Sequence, residues 1–120
     1  MEPRIGDELI VQTINTSATI KSNRLVLLDG SSYSADAITT SYGISKYDTV
    51  SGESNALILQ GSGYVEIDGT SGAFTLGAPV YAGATGKAKS TGTVIKGKAL
   101  EAINPAGATV PVYVKVLLRA

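Results

Sequence analysis

The chain has 120 residues, with 10 Lys and Arg against 10 Asp and Glu, no histidine and no cysteine. That length suits one domain with a modest core, and zero net charge leaves no global field to hold a nucleic-acid backbone or an anionic membrane. The missing imidazole and thiol exclude Ser–His and Cys–His nucleophiles, histidine and thiolate metal sites and disulfides; no pair of acids has a catalytic spacing, so neither an enzyme nor a cofactor is expected.

At the N-terminus, MEPRIGDELIV lacks a basic stretch followed by an apolar run, and no signal peptide is expected. ELIVQTI (8–14) reads as a strand, and the polar NTSATIKSN that follows has no turn dipeptide to fold it back. Residues 1–23 are therefore expected as an arm or edge strand, with a barrel-like domain over 24–120. An arm would lie extended on a neighbour and add a strand to its sheet; an edge strand of the chain's own domain fits the same residues.

RLVLL (24–28) is the next strand, and its apolar run is far too short to span a bilayer. Asp29-Gly30 reads as a hairpin turn. SADAITTSYG (34–43) hints at one or two helical turns, with Ser34 as cap and Gly43 as stop, although Thr39 and Thr40 weaken it. ALILQ (56–60) and YVEI (64–67) read as two strands, followed by a second Asp-Gly turn at 68–69. Calcium loops at LDGSS or IDGTS have too few carboxylates. PVYA (79–82), TVIKGKAL (93–100) and VPVYVKVLL (110–118) complete the set, with Asn104-Pro105-Ala106-Gly107 as a turn before the last. In that strand Val110, Val112, Val114, Val116 and Leu118 fall on one face, opposite Pro111, Tyr113, Lys115 and Leu117. Many short strands make the class all-β: a small β-barrel or β-sandwich-like domain with at most one short helix.

GISKYDTVSGESNALILQG (43–61) also echoes GKALEAINPAGATVPVYVK (97–115). Each has a glycine, a small residue two on, a glycine-bearing loop and an apolar strand. Two such units would pack as halves of one barrel.

The order of pieces in the second half is distinctive: Gly77-Ala78-Pro79-Val80-Tyr81, Thr85-Gly86-Lys87-Ala88, Gly97-Lys98-Ala99-Leu100-Glu101-Ala102 and Val114-Lys115-Val116-Leu117-Leu118. Together they resemble the C-terminal half of the capsid cement or decoration proteins of tailed bacteriophages. The resemblance implies a β-tulip-type domain on the outer surface of an icosahedral head, made in the host cytoplasm. It would bind and stabilise the head by bridging major capsid protein subunits, as a homo-oligomer with a trimer favoured. Neither nucleic acid nor membrane is an expected partner.

For that role, capsid contact is assigned to Ile5, Leu9, Val11 and Ile14, whose alternative place is the chain's own core. Tyr64, Tyr81 and Tyr113 are candidates for a subunit interface, since tyrosine offers large contact area with a polar tip; their alternative place is ordinary half-buried strand packing. The glycines Gly77, Gly86 and Gly97 are read as scaffold. Two other readings stand beside this one: another β-rich virion module of tail tube or fibre, and a carbohydrate- or ligand-binding β module. Against the latter, the chain has no Trp and its 6 Tyr are dispersed.

Overall fold

In the computed structural model residues 8–118 are described, with side chains from Ile10 onward. The longest element is the strand Ser54–Glu66, which sequence patterning divides in two at Gly61-Ser62-Gly63. It is one strand with an irregularity, and Gly61 marks it: φ is +98° there, and the residue pairs with Glu8 on one partner and Leu118 on another. Before this point the even-numbered Ile58 enters the main core, while Leu57 and Leu59 join a second cluster. After it the odd-numbered Val65 and Ile67 enter the main core. An extra residue in a strand flips the side-chain alternation, and a positive φ is accessible to glycine at little cost.

Around this strand the chain is all-β. Among the described residues there are eight strands: β1 (Glu8–Asn15), β2 (Leu25–Leu27), β3 (Tyr42–Ser45), β4 (Ser54–Glu66), β5 (Pro79–Ala82), β6 (Ala88–Lys89), β7 (Gly97–Ala99) and β8 (Tyr113–Leu118). They form one sheet in the order β2-β3-β4-β8-β7-β5-β6, with β1 added on β4. All named pairs are antiparallel. A single parallel bridge, Ile67 to Ala88, brings β6 back to the residue after β4 and nearly closes the sheet into a barrel.

The internal echo has a structural counterpart. β2-β3-β4 and β5-β7-β8 are two three-stranded antiparallel units joined through the central β4–β8 pair. The glycines that open the echoed units occupy matching crowded places. A Cβ on Gly43 would lie 2.8 Å from the Ile58 carbonyl oxygen, and one on Gly97 would lie 2.6 Å from that of Leu117.

Inside the barrel the main core gathers Leu25, Ile44, Ile58, Val65, Phe74, Val80, Val114 and Val116, among others. A smaller cluster of Ile20, Val26 and Leu57 is covered in part by Ile14, Leu28, Tyr33 and Leu59. Valines 114 and 116 and Leu118 are buried as the alternation requires, but Val110 is 69% exposed. β8 begins only at Tyr113 because 104–111 is spent on a turn, with Asn104 Oδ1 accepting the Ala106 amide at 3.1 Å.

The region 34–43 is not helical. Asp36 does not serve a first helical turn: its carboxylate accepts the amides of Thr93 at 2.9 Å and Val94 at 3.2 Å. Ser34 is buried with its hydroxyl unpartnered, so it caps nothing. Tyr42 then starts β3, a strand that the turn-rich composition hid. Among the described residues helical structure is limited to the 3-10 turn Ala84–Gly86.

The two Asp-Gly turns rest on their aspartates. Asp29 Oδ1 accepts the amide and hydroxyl of Ser31 at 2.9 and 2.7 Å. Asp68 Oδ1 accepts the amide and hydroxyl of Thr70 at 2.8 and 2.7 Å, and its Oδ2 accepts the Ala84 amide at 2.8 Å. Asp68 thus ties the end of β4 to the turn between β5 and β6, beside the Ile67–Ala88 closure. Led by the Thr70 amide, these donors hold its carboxyl below the ordinary value of 3.8. A depressed folded pKa adds stability that is complete above the unfolded value and is lost as pH falls through the folded one. Asp68→Ala is expected to cost about 2–3 kcal/mol at neutral pH, from lost charge-assisted bonds and orphaned amides. In urea titrations the gap between wild type and variant should shrink below about pH 4; a gap independent of pH would count against this account.

Candidate functional site

Two surfaces follow from where the strands place the candidate residues. On the outer face of the β4–β8 pair, Tyr64 stands opposite Lys115 and Tyr113 opposite Glu66. Antiparallel register makes the two tyrosines diagonal neighbours on one face. They are 43% and 38% exposed, whereas the inward residues between them, Val65 and Val114, are fully buried. Each ring therefore rests on a rigid two-stranded floor with much of its area in solvent.

The charges beside this pair are organised. Glu66 receives Arg24 Nη2 at 3.2 Å and Lys87 Nζ at 3.4 Å. Arg24 also donates through Nη1 to the Thr85 carbonyl at 3.2 Å and hydroxyl at 3.1 Å, and its guanidinium lies 5.8 Å from the Tyr33 ring centre. Asn23, at φ +60°, donates through Nδ2 to the Tyr64 carbonyl at 3.0 Å, and its own carbonyl accepts the Glu66 amide at 2.9 Å. The charged side chains are thus held by one another and by backbone, which leaves the tyrosines as the protruding apolar groups. Tyr81 does not join them. It is half-buried on β5, with β7 between β5 and β8.

The second surface is β1. Among the described residues it pairs with β4 alone. Val11 is 43% exposed, and Ile14 is half-buried against the smaller apolar cluster. Ile5 lies outside the described residues, as does the side chain of Leu9. Sequence patterning did not single out Ile10, which is 44% exposed next to Val11. Strict alternation would hide one of the two; the register irregularity on both sides of Ile10 exposes both.

Loop tips carry further bare apolar groups that strand patterning assigned elsewhere or passed over: Leu76 at 72%, Ile95 at 58%, Val50 at 56% and Tyr47 at 57% exposure. Ile95 falls in a loop because only Gly97–Ala99 of the TVIKGKAL run pairs as a strand. Its neighbour Lys96 is buried, donates to the Ile38 carbonyl and stands 5.1 Å from the Tyr42 ring centre. Burial pushes its ammonium below 10.5, with Asp36 acting the other way. The pair fastens the 34–41 loop to the 93–96 loop.

Both surfaces present exposed apolar or aromatic side chains. Among the described residues no group of three or more acids, histidines or cysteines is arranged to hold a metal ion. Of the surface clefts, one of about 380 Å3 borders Ile10, and one of about 310 Å3 lies between Lys87 and the 105–112 loop.

No curated protein matches the chain in sequence. Among solved structures it is similar to one titled the head fiber gp8.5 N base in bacteriophage phi29, at 18% identity and a TM-score of 0.64, over 92% of this chain and 93% of that one. Identity that low is a likeness of fold. A family model described as phage cement protein matches residues 4–114, nearly the whole of the barrel and its added strand, and the chain therefore belongs to the phage cement protein family.

Proposed function

We propose that this protein is a non-enzymatic clamp on the outer surface of a phage head, binding major capsid protein subunits and stabilising the shell by bridging them. The family already gives it a structural role associated with the phage capsid. The observation that carries the finer reading is the pairing of two contact surfaces on one rigid barrel: the bare strand β1 and the tyrosines 64 and 113.

A clamp needs one surface for the shell and another for its own copies. We assign β1, with Val11 and Ile14 and the preceding Ile5 and Leu9, to the shell. Tyr64 and Tyr113 go to contact between copies, in a homotrimer, with Tyr81 at its margin. Joined copies that each touch a capsid subunit bind with high effective concentration, and a ligand of the assembled shell alone stabilises it by mass action. A second reading, a base module of a fibre on the head, draws on the phi29 head-fibre likeness.

The test is direct. Purified protein is mixed with heads that lack it, then followed by co-sedimentation, electron microscopy and thermal release of DNA. Regular density on the icosahedral faces and a higher release temperature are expected. Binding only at a tail or vertex, or no gain in heat resistance, would sink the bridging role.

A further inference from the structure

The two halves of the barrel repeat at one constant offset. The bridge Ile20–Thr49 recurs as Phe74–Ile103, and the crowded Gly43 as Gly97. That offset also matches Tyr42 with Lys96 and residues 34–41 with 88–95. Tyr42 and Lys96 touch: the tyrosine hydroxyl donates to the Lys96 carbonyl, and the ammonium stands 5.1 Å from the ring centre. Equivalent positions that touch lie on the axis relating the halves, so 34–41 and 88–95 meet there.

The two equivalent segments are held differently. Ala88 bridges Ile67 and its carbonyl accepts the Asp68 amide at 2.8 Å, while the Ser90 amide donates to Ser71 Oγ at 3.0 Å. Ser34, the counterpart of Ala88, makes no such closure; its amide donates back to the Leu25 carbonyl at 2.8 Å. Beyond it, among the described residues, no backbone–backbone hydrogen bond ties residues 35–40 to the rest of the chain. Ala35, Ala37, Thr39, Thr40 and Ser41 are exposed, so the segment buries little apolar surface.

What holds this segment is a reciprocal pair of charges. Its own Asp36 accepts the Thr93 and Val94 amides, and Lys96 on the facing loop donates to its Ile38 carbonyl. Charge-assisted bonds are about twice as strong as neutral ones, whereas a segment with few buried apolar contacts opens well below the global unfolding free energy. We infer that residues 35–41 form a strap, latched over the 92–96 loop by Asp36 and Lys96, which opens as one unit while the barrel stays folded. Opening returns three amides to water together: Thr93, Val94 and, at the far end, Leu28, which donates to the Ser41 carbonyl at 3.0 Å.

None of the surfaces assigned to the head takes part, so the experiment needs only the free full-length chain, followed by native-state amide exchange in low urea. In wild type, Thr93, Val94 and Leu28 should share one opening free energy that is insensitive to urea, while amides of the β4–β8 ladder follow the global, urea-sensitive unfolding. Lys96→Met keeps an apolar stem and removes the ammonium; it should speed all three amides by a common factor of about ten. Val65→Ala hollows the core away from the strap and should speed the ladder about tenfold or more, leaving the three amides unchanged. Melting curves establish that both variants fold, and the wild-type urea series decides the matter without them. Three unequal opening free energies, or a Leu28 amide indifferent to Lys96→Met, would mean separate fraying and overturn the strap as a unit. Strap amides that follow urea, or quicken with the ladder in Val65→Ala, would mean that it opens only when the barrel unfolds, which overturns the inference as well.

Discussion

Gly97→Ala is expected to lower the thermal midpoint by roughly 10 °C, whereas Gly69→Ala should leave it within about 2 °C. Gly97 is buried in β7, and a Cβ there would meet the Leu117 carbonyl oxygen at 2.6 Å and Val116 Cγ1 at 2.7 Å. A backbone oxygen in the ladder between β7 and β8 cannot step aside as a flexible side chain can. Relief requires β7 to move away from β8, against its pairings Lys98–Leu117 and Ala99–Val116. Overpacking of this kind costs about 2–3 kcal/mol. Gly69 is the control, because nothing lies within 4 Å of its would-be Cβ. Its turn is held by the Asp68 carboxylate, which alanine at position 69 leaves in place. Differential scanning calorimetry on the two variants measures both effects, and equal midpoints would remove the crowding argument.

The second large effect concerns assembly. The double variant Tyr64→Ser, Tyr113→Ser is expected to run as a monomer in light scattering and to lose about 100-fold or more in apparent affinity for heads. Both rings are more than one third exposed, so removing them takes little from the core, and serine keeps the positions polar and solvated. In the proposed trimer, a joint through these rings would multiply single-site binding through effective concentration, typically by ~10²–10⁴. Loss of the joint should therefore cost far more head binding than the change in one weak contact would. The variant's own melting temperature should change little. A double variant that keeps the oligomer and full head binding would show that the tyrosines serve neither purpose.

The resemblance in the second half led to the right family because its small-residue turns and apolar strands occur in a fixed order from Gly77 to Leu118, and a family model now extends that match to residues 4–114. Most strands were equally legible. β1, β2 and β5 fall within a residue or two of the β-branched runs that announce them. Period two is a local property, set by alternating exposure along a pleated chain, so it needs no knowledge of partners. The echo between 43–61 and 97–115 was visible for a related reason: both glycines answer the same crowding at the start of a hairpin.

Other features belong to residues far apart in the chain. β3 and β6 are four and two residues long and acquire strand character only from the neighbours they pair with. The helix hint over 34–43 lost to Thr93 and Val94, whose amides claimed the Asp36 carboxylate from more than fifty residues away. Unity of β4 depended on a register irregularity between Ile58 and Gly61, which only its pairing with two different partner strands makes visible. The same holds for the surfaces. That Tyr64 and Tyr113 are neighbours while Tyr81 is not, and that Ile10 stands bare beside Val11, follow from register across strands, which one-dimensional spacing does not contain. By itself the sequence determined the all-β class, the absence of imidazole and thiol chemistry, and the periodic core; long-range hydrogen bonding decided which of its apolar and aromatic side chains face outward together.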